Sequence, residues 1–157
     1  MMAEANAEGA PRALPTADHD AEPLAHRPRV AIIGASADRA KYGNKAVRAY
    51  VEEGWEVWPV NPRGGLIEGL RVYTDVAELP DLPQRASLYL PQGPALRVLD
   101  ALAALEERYG RSIQDVYLNP GVGKRAVRER ADELGLNRVS RCSIRAIGRV
   151  PKEFPAE

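Results

Sequence analysis

The chain has 157 residues, 45% of them hydrophobic, which suffices for one domain with a buried core. Its 22 basic and 22 acidic side chains cancel overall but not locally: residues 1 to 26 carry a net −4, which leaves +4 on the remainder. No apolar run approaches the roughly 18 residues of a membrane span, the first residues lack a signal-peptide pattern, and a lone cysteine, Cys142, offers neither a disulfide partner nor a metal-ligand set. A cytoplasmic chain without structural metal is expected.

Residues 1 to 27 are rich in Ala, Glu and Pro, without apolar periodicity or aromatic side chains, so a disordered tail is predicted there and one domain from 28 to 157. "RVAII" (29 to 33) reads as a buried strand, and Ala46, Val47, Tyr50 and Val51 form one face of a helix that Gly54 ends. "WEVWPV" (55 to 60) is a second strand, in which Pro59 belongs near the end or where no amide donor is needed. Residues 61 to 83 predict an irregular connection with one helical turn. "ASLYL" (86 to 90) is strand three. A helix follows from about Pro94, burying Leu96, Leu99, Leu102 and Ala103 before Gly110. "QDVYL" (114 to 118) is strand four, Lys124 to Leu134 a helix, and "NRVSRC" (137 to 142) strand five.

Strands alternating with helices predict an α/β fold: a Rossmann-like, doubly wound, mostly parallel five-stranded sheet with helices on both faces. Ligands of such sheets bind beyond the carboxyl ends of the strands, where strand order reverses. The loops after strands one to four are therefore the candidate site.

After strand one comes "GASADRAKYG" (34 to 43), leading into a helix. A helix start offers unpaired amides and partial positive charge, and glycine lets an anion approach. Gly34 and Ala35 add little bulk, Ser36 has a hydroxyl, Arg39 and Lys41 supply charge and Tyr42 a flat ring, a set suited to phosphate. The G-x-G-x-x-G fingerprint is not met, because Ser36 and Arg39 stand at its second and third glycine positions, and no P-loop occurs. The loop after strand two, "PVNPRGG" (59 to 65), lacks the carboxylate that an NAD site uses for ribose. Val60, Asn61 and Pro62 can line an adenine instead, and Arg63 suits a ribose phosphate.

Taken in order, "VAIIGAS", "KYG" (41 to 43), "GWEVWPVNP" (54 to 62), "GLRVY" (69 to 73), "LYLP" (88 to 91), "YLNPGVG" (117 to 123) and "RCSI" (141 to 144) resemble the stand-alone coenzyme A-binding domain family. That family is similar to the N-terminal domain of the succinyl-CoA synthetase alpha subunit. The resemblance covers about Arg29 to Val150. It implies that Gly34, Ala35, Ser36, Lys41 and Tyr42 lie at the diphosphate of CoA. Val60, Asn61, Pro62 and Arg63 would surround the 3′-phosphorylated adenosine, and Pro91 and the turn from Asn119 to Gly121 would line the pantetheine path. The sequence departs from the family pattern at Ser87, where Asp is frequent, and at "NPG" (119 to 121), which replaces a Gln-containing turn.

The related ligase passes phosphate through a histidine. This chain has two, His19 and His26, both before strand one, so no phosphohistidine step is expected. Cys142 follows strand five, where a mixed disulfide with CoA is conceivable; an inert packed thiol is the expectation. Nine basic residues against three acids between Lys124 and Lys152 read as a solvated face and basic tail, and the lack of interleaved aromatic platforms argues against nucleic-acid binding. The expected function is non-catalytic binding of CoA or an acyl-CoA. The alternative is an NADP-linked or ligase-like enzyme subunit using the same crevice. Neither reading names a protein partner.

Overall fold

The computed structural model describes residues 26–157. The expected tail lies outside them except for His26 and Arg27. The chain runs through β1 (Arg29–Ile33), α1 (Tyr42–Glu52), β2 (Glu56–Val60), β3 (Leu66–Ile67), β4 (Leu70–Arg71), a 3-10 turn (Val76–Glu78), β5 (Arg85–Leu88), α2 (Gln92–Tyr109), β6 (Asp115–Leu118), α3 (Arg125–Glu133), β7 (Arg138–Val139), α4 (Ser143–Ala146) and a last 3-10 turn (Pro151–Glu153).

The main sheet has the order β2-β1-β5-β6-β7, with every neighbouring pair parallel. The fold is therefore the expected Rossmann-like α/β arrangement. Strand order reverses between β1 and β5, since the chain goes from β1 outward to β2 and then crosses back to β5. The period-2 alternation of each strand divides the core into two layers. Ala31, Ile33, Trp58, Ala86, Leu88, Val116 and Leu118 pack against Leu99 and Leu102 of α2 and Val127 and Ala131 of α3. Val30, Ile32 and Val57 pack on the opposite face against Ala46, Val47 and Tyr50 of α1 and Ile144 of α4.

Pro59 lies in β2, an edge strand of that sheet. Within a strand the N–H and C=O of one residue point to the same side, and the Pro59 carbonyl accepts from the Tyr73 amide at 2.9 Å, away from β1. The missing proline donor thus faces outward, where the β1 ladder does not need it.

Residues 61 to 83 differ from the expected irregular connection, because they hold a hairpin. Leu66 and Ile67 of β3 pair antiparallel with Arg71 and Leu70 of β4. The two turn residues, Glu68 (φ 50°) and Gly69 (φ 79°), are both left-handed, as a two-residue hairpin of type I′ requires. Ile67 and Val72 anchor the hairpin in the α1 layer, whereas Leu66 is 69% exposed.

At the amino end of the sheet the Arg85 guanidinium lies 4.9 Å from the Trp55 ring and 4.8 Å from that of Tyr117, and pairs with Asp115 at 3.0 Å. Trp55 also meets Tyr50 edge-on at 5.0 Å, and Arg29 lies 5.6 Å over Trp58. At the carboxyl end β5 stops at Leu88, although the Tyr89 amide still donates to the Ile33 carbonyl at 2.8 Å. The fifth strand is only two residues long, and the chain then turns into α4.

The last residues are docked rather than a free basic tail. Phe154 is buried in the α1 layer, Arg48 of α1 donates to the carbonyls of Phe154 (3.2 Å) and Pro155 (3.0 Å), and Arg149 bridges to Glu52, Glu53 and Glu153. Arg125, Arg130 and Arg138 also sit in ion pairs, so much of the basic stretch is compensated locally.

Candidate functional site

The loops after β1 and β2 meet through their backbones. A Cβ on Gly34 (φ 96°) would fall 2.2 Å from the Tyr89 carbonyl oxygen, and one on Gly43 2.3 Å from that of Gly34. These two glycines let the start of α1 rest directly on the end of β1 and let β1 approach the segment after β5. The amides of Gly34 and Ala35 both donate to the Val60 carbonyl, at 3.1 and 3.2 Å. Asn61 completes the joint: its Nδ2 donates to the Ala35 carbonyl at 2.8 Å and its Oδ1 accepts from the Arg63 amide at 2.8 Å.

Gly34, Ala35, Val60 and Asn61 are thus brought together, but the Gly34 and Ala35 amides are already engaged. The Asn44 and Lys45 amides bond back to Lys41, so the first-turn donors left open at α1 are those of Tyr42 and Gly43. Ser36 accepts from the Asp38 amide at 3.0 Å through Oγ, which shapes the loop and leaves the hydroxyl proton to donate. Lys41 and Tyr42 stand exposed at the helix start, with Lys45 Nζ 5.6 Å over the Tyr42 ring. Pro62 and Arg63 are exposed beyond Asn61.

Arg39 is engaged within the protein. Its guanidinium meets the Glu68 carboxylate at 3.2 Å through both Nε and Nη2, and Nη1 donates to the Glu157 carbonyl at 3.0 Å. Sequence reasoning missed Glu68, because the hairpin that carries it was not foreseen. It also missed Asn44, which is fully buried in the first turn of α1. Asn44 Nδ2 donates to the Ser36 carbonyl (2.9 Å) and to Glu68 (3.0 Å), while its Oδ1 accepts from Arg48 Nε at 2.7 Å. The signal was present: Asn44 precedes Val47 by three residues, a polar side chain on the apolar stripe of the helix. Burial and then the neighbouring Arg39 cation lower the Arg48 pKa.

Toward β5 and β6 the predicted residues separate. Pro91 is exposed at the start of α2, and Gly121 (φ 93°) is exposed with open space where a Cβ would stand. Asn119 is buried, and its side chain turns inward, donating to Ser87 Oγ and the Leu88 carbonyl, both at 2.9 Å, and accepting from the Ser143 amide at 2.8 Å. Ser87 and Ser143 hydroxyls lie 2.6 Å apart, and the Tyr89 hydroxyl is 3.3 Å from Ser143 Oγ. Burial raises the Tyr89 pKa, so that phenol is neutral at physiological pH. Cys142, half-buried, packs against the α1 layer. His26 precedes β1, at the opposite edge of the sheet from these loops. Among the described residues no group of metal-ligating side chains occurs and no helix is long and apolar enough to cross a membrane.

The site joins an open helix start and cations to a compact second loop, a layout suited to an anionic nucleotide. Over 85 residues, half of this chain, the sequence is 36% identical to the alpha subunit of an ADP-forming acetate–CoA ligase I from Pyrococcus furiosus. The chain spans only 18% of that relative's length. A hypothetical protein from Pyrococcus horikoshii superimposes with a TM-score of 0.64 at 25% identity, covering 78% of this chain and 82% of the other. The dinucleotide forming acetyl-coenzyme A synthetase 1 of Ca. Korarchaeum cryptofilum, in its apo form, gives 0.55 at 25% identity over 71% of this chain and 25% of the other. Residues 28–147 match the family described as the CoA binding domain, across the whole sheet and every loop of the crevice, and the chain belongs to that family.

Proposed function

We propose that this protein binds coenzyme A or an acyl-CoA in the crevice at the β1–β5 reversal and does so without catalysing a reaction of its own. The observation that carries the reading is the conjunction at loop one: open amides at Tyr42 and Gly43, the Ser36 hydroxyl, and Lys41 beside them, in a chain of the CoA-binding domain family. These donors fit a diphosphate. Gly34 and Ala35 form the floor beneath it. Arg39 joins as a cation once its internal partners release it. Val60, Asn61 and Pro62 border the adenosine, and Arg63, exposed and without an ion pair among the described residues, meets the 3′-phosphate. Pro91 and the Asn119 to Gly121 turn flank the pantetheine arm, Asn119 through its backbone because its side chain is engaged inside.

The non-catalytic part of the reading is supported by the make-up of the crevice. Among the described residues no histidine stands at the carboxyl edge of the sheet, and the Tyr89 phenol, partly buried beside Ser143, has its pKa raised chiefly by burial. A second reading, that the chain is one component of an acyl-CoA ligase, draws on its likeness to a ligase alpha subunit. In that case the remaining machinery comes from other chains.

Calorimetric titration with CoA, acetyl-CoA, NADP and ADP tests the proposal. Saturable binding of CoA and acetyl-CoA, with no response to NADP, is expected. Tighter binding of NADP than of CoA, or no heat with either CoA compound, would overturn it.

A further inference from the structure

We propose that Glu68, at the tip of the β3–β4 hairpin, is a built-in competitor for the anion received at loop one and so sets how tightly the crevice takes a diphosphate. The inference rests on the reading above that loop one receives the diphosphate of CoA.

Glu68 is the one residue other than glycine with a positive φ among those described, at 50°. A side chain held in that conformation is under mild backbone strain. Its carboxylate reaches across from the hairpin to the first turn of α1. There it takes both Nε and Nη2 of Arg39 at 3.2 Å and the Asn44 amide at 3.0 Å. Asn44 has no freedom to turn away, because it is fully buried and its remaining groups are fixed by Ser36 and Arg48. Two oxygens on a guanidinium fork and a fixed amide, beside a helix start, reproduce the contacts that a pair of phosphate oxygens would make. The carboxylate therefore stands where the ligand's charge would gain most.

The contact is also built to release. The Glu68 side chain is 24% exposed and that of Arg39 40%, and ion pairs so open to solvent are weak. Gly64 and Gly65 precede the hairpin and Gly69 follows its tip, all with φ between 66° and 83°, so the backbone on both sides turns without side-chain hindrance. Ile67, directly before Glu68, and Val72 are buried and hold the hairpin in place, so release is a swing of the Glu68 side chain away from Arg39. A diphosphate carries more charge than one carboxylate and gains the Tyr42 and Gly43 amides as well. It displaces Glu68 and frees Arg39. Without ligand, Glu68 keeps the Arg39 charge compensated.

Calorimetry on the full chain with CoA and dephospho-CoA, using wild type, Glu68→Gln and Glu68→Gly, decides the matter. Glu68→Gln keeps an accepting oxygen without the charge, and Glu68→Gly removes the side chain while suiting the backbone. Both variants are expected to tighten binding about fivefold, and equally for the two ligands, since the competition is at the diphosphate. Unchanged or weaker binding by both variants would make Glu68 a structural clasp and overturn the proposal while leaving the CoA reading standing. A gain with CoA that vanishes with dephospho-CoA would overturn the diphosphate assignment. If neither wild type nor variants bind either ligand, this inference falls together with the function on which it rests.

Discussion

Asn119 and Ser87 are hydrogen-bonded at 2.9 Å inside the protein, the amide donating to the serine hydroxyl. The same Asn119 side chain also serves the Leu88 carbonyl and the Ser143 amide, so one residue joins β5, the end of β6 and the start of α4. Removing it takes the partner from the buried Ser143 amide and one hydrogen bond each from Ser87 and the Leu88 carbonyl. Asn119→Ala is expected to lower stability by about 2 kcal/mol and Ser87→Ala by about 1 kcal/mol, read from urea denaturation with unchanged slope.

Gly43 is where α1 touches loop one. An alanine there places Cβ 2.3 Å from the Gly34 carbonyl oxygen, a backbone atom that cannot swing aside. Gly43→Ala should destabilise by at least about 2 kcal/mol. Gly121→Ala meets no neighbour within 4 Å and suffers only from its φ of 93°, so a loss of about 1 kcal/mol is expected. Thermal unfolding of the two variants side by side separates crowding from backbone strain.

Asn61 ties the second loop to the first through the Ala35 carbonyl. Asn61→Ala should cost about 1 kcal/mol of stability. By the proposed function it should also weaken CoA binding, because Arg63 loses the turn that orients it. Paired denaturation and titration measurements check both effects; full CoA affinity in the variant would remove Asn61 from the site.

Arg63 is assigned to the 3′-phosphate. Arg63→Ala should weaken CoA binding about tenfold while leaving dephospho-CoA unaffected. Equal losses for both ligands would move Arg63 to another part of the nucleotide.

Asp81 supplies a pH dependence. Its carboxylate accepts from the Leu82 amide at 2.6 Å and from Arg29 at 2.8 Å, with Arg111 at 3.1 Å. The Leu82 hydrogen bond, then Arg29 and Arg111, hold its pKa below the ordinary value against an opposing contribution from burial. A depressed carboxylate adds stability above the unfolded-state pKa of about 3.9 and loses it as pH falls through the folded-state value. Wild type should therefore lose more stability than Asp81→Asn between about pH 5 and pH 2. Parallel losses in the two proteins would contradict the assignment.

The sheet was legible because each buried strand is a short apolar run closed by Gly, Pro or Asn, and each long helix repeats its apolar residues at helical spacing. The position of Pro59 followed from its missing donor alone. The hairpin was not legible, since Glu-Gly is a weak turn signal beside Asn-Gly and four paired residues give too little alternation to read. Strand five came out shorter than expected because "NRVSRC" looks strand-like locally, while the Asn119 side chain captures the Ser143 amide and starts a helix there. Residue types at loop one were readable from sequence, but their engagements were not: that Arg39 faces Glu68, or that Asn119 turns inward, depends on contacts from distant parts of the chain.

Both tryptophans belong to the second strand and its approach, with Trp55 stacked on Arg85 at the amino end of the sheet and Trp58 mid-strand, opposite Ala31 and beneath Arg29. Intrinsic emission will consequently report loss of the native fold, whereas loop one itself carries no tryptophan. An optical binding assay for this protein needs a fluorophore introduced at the hairpin, where Leu66 already faces solvent.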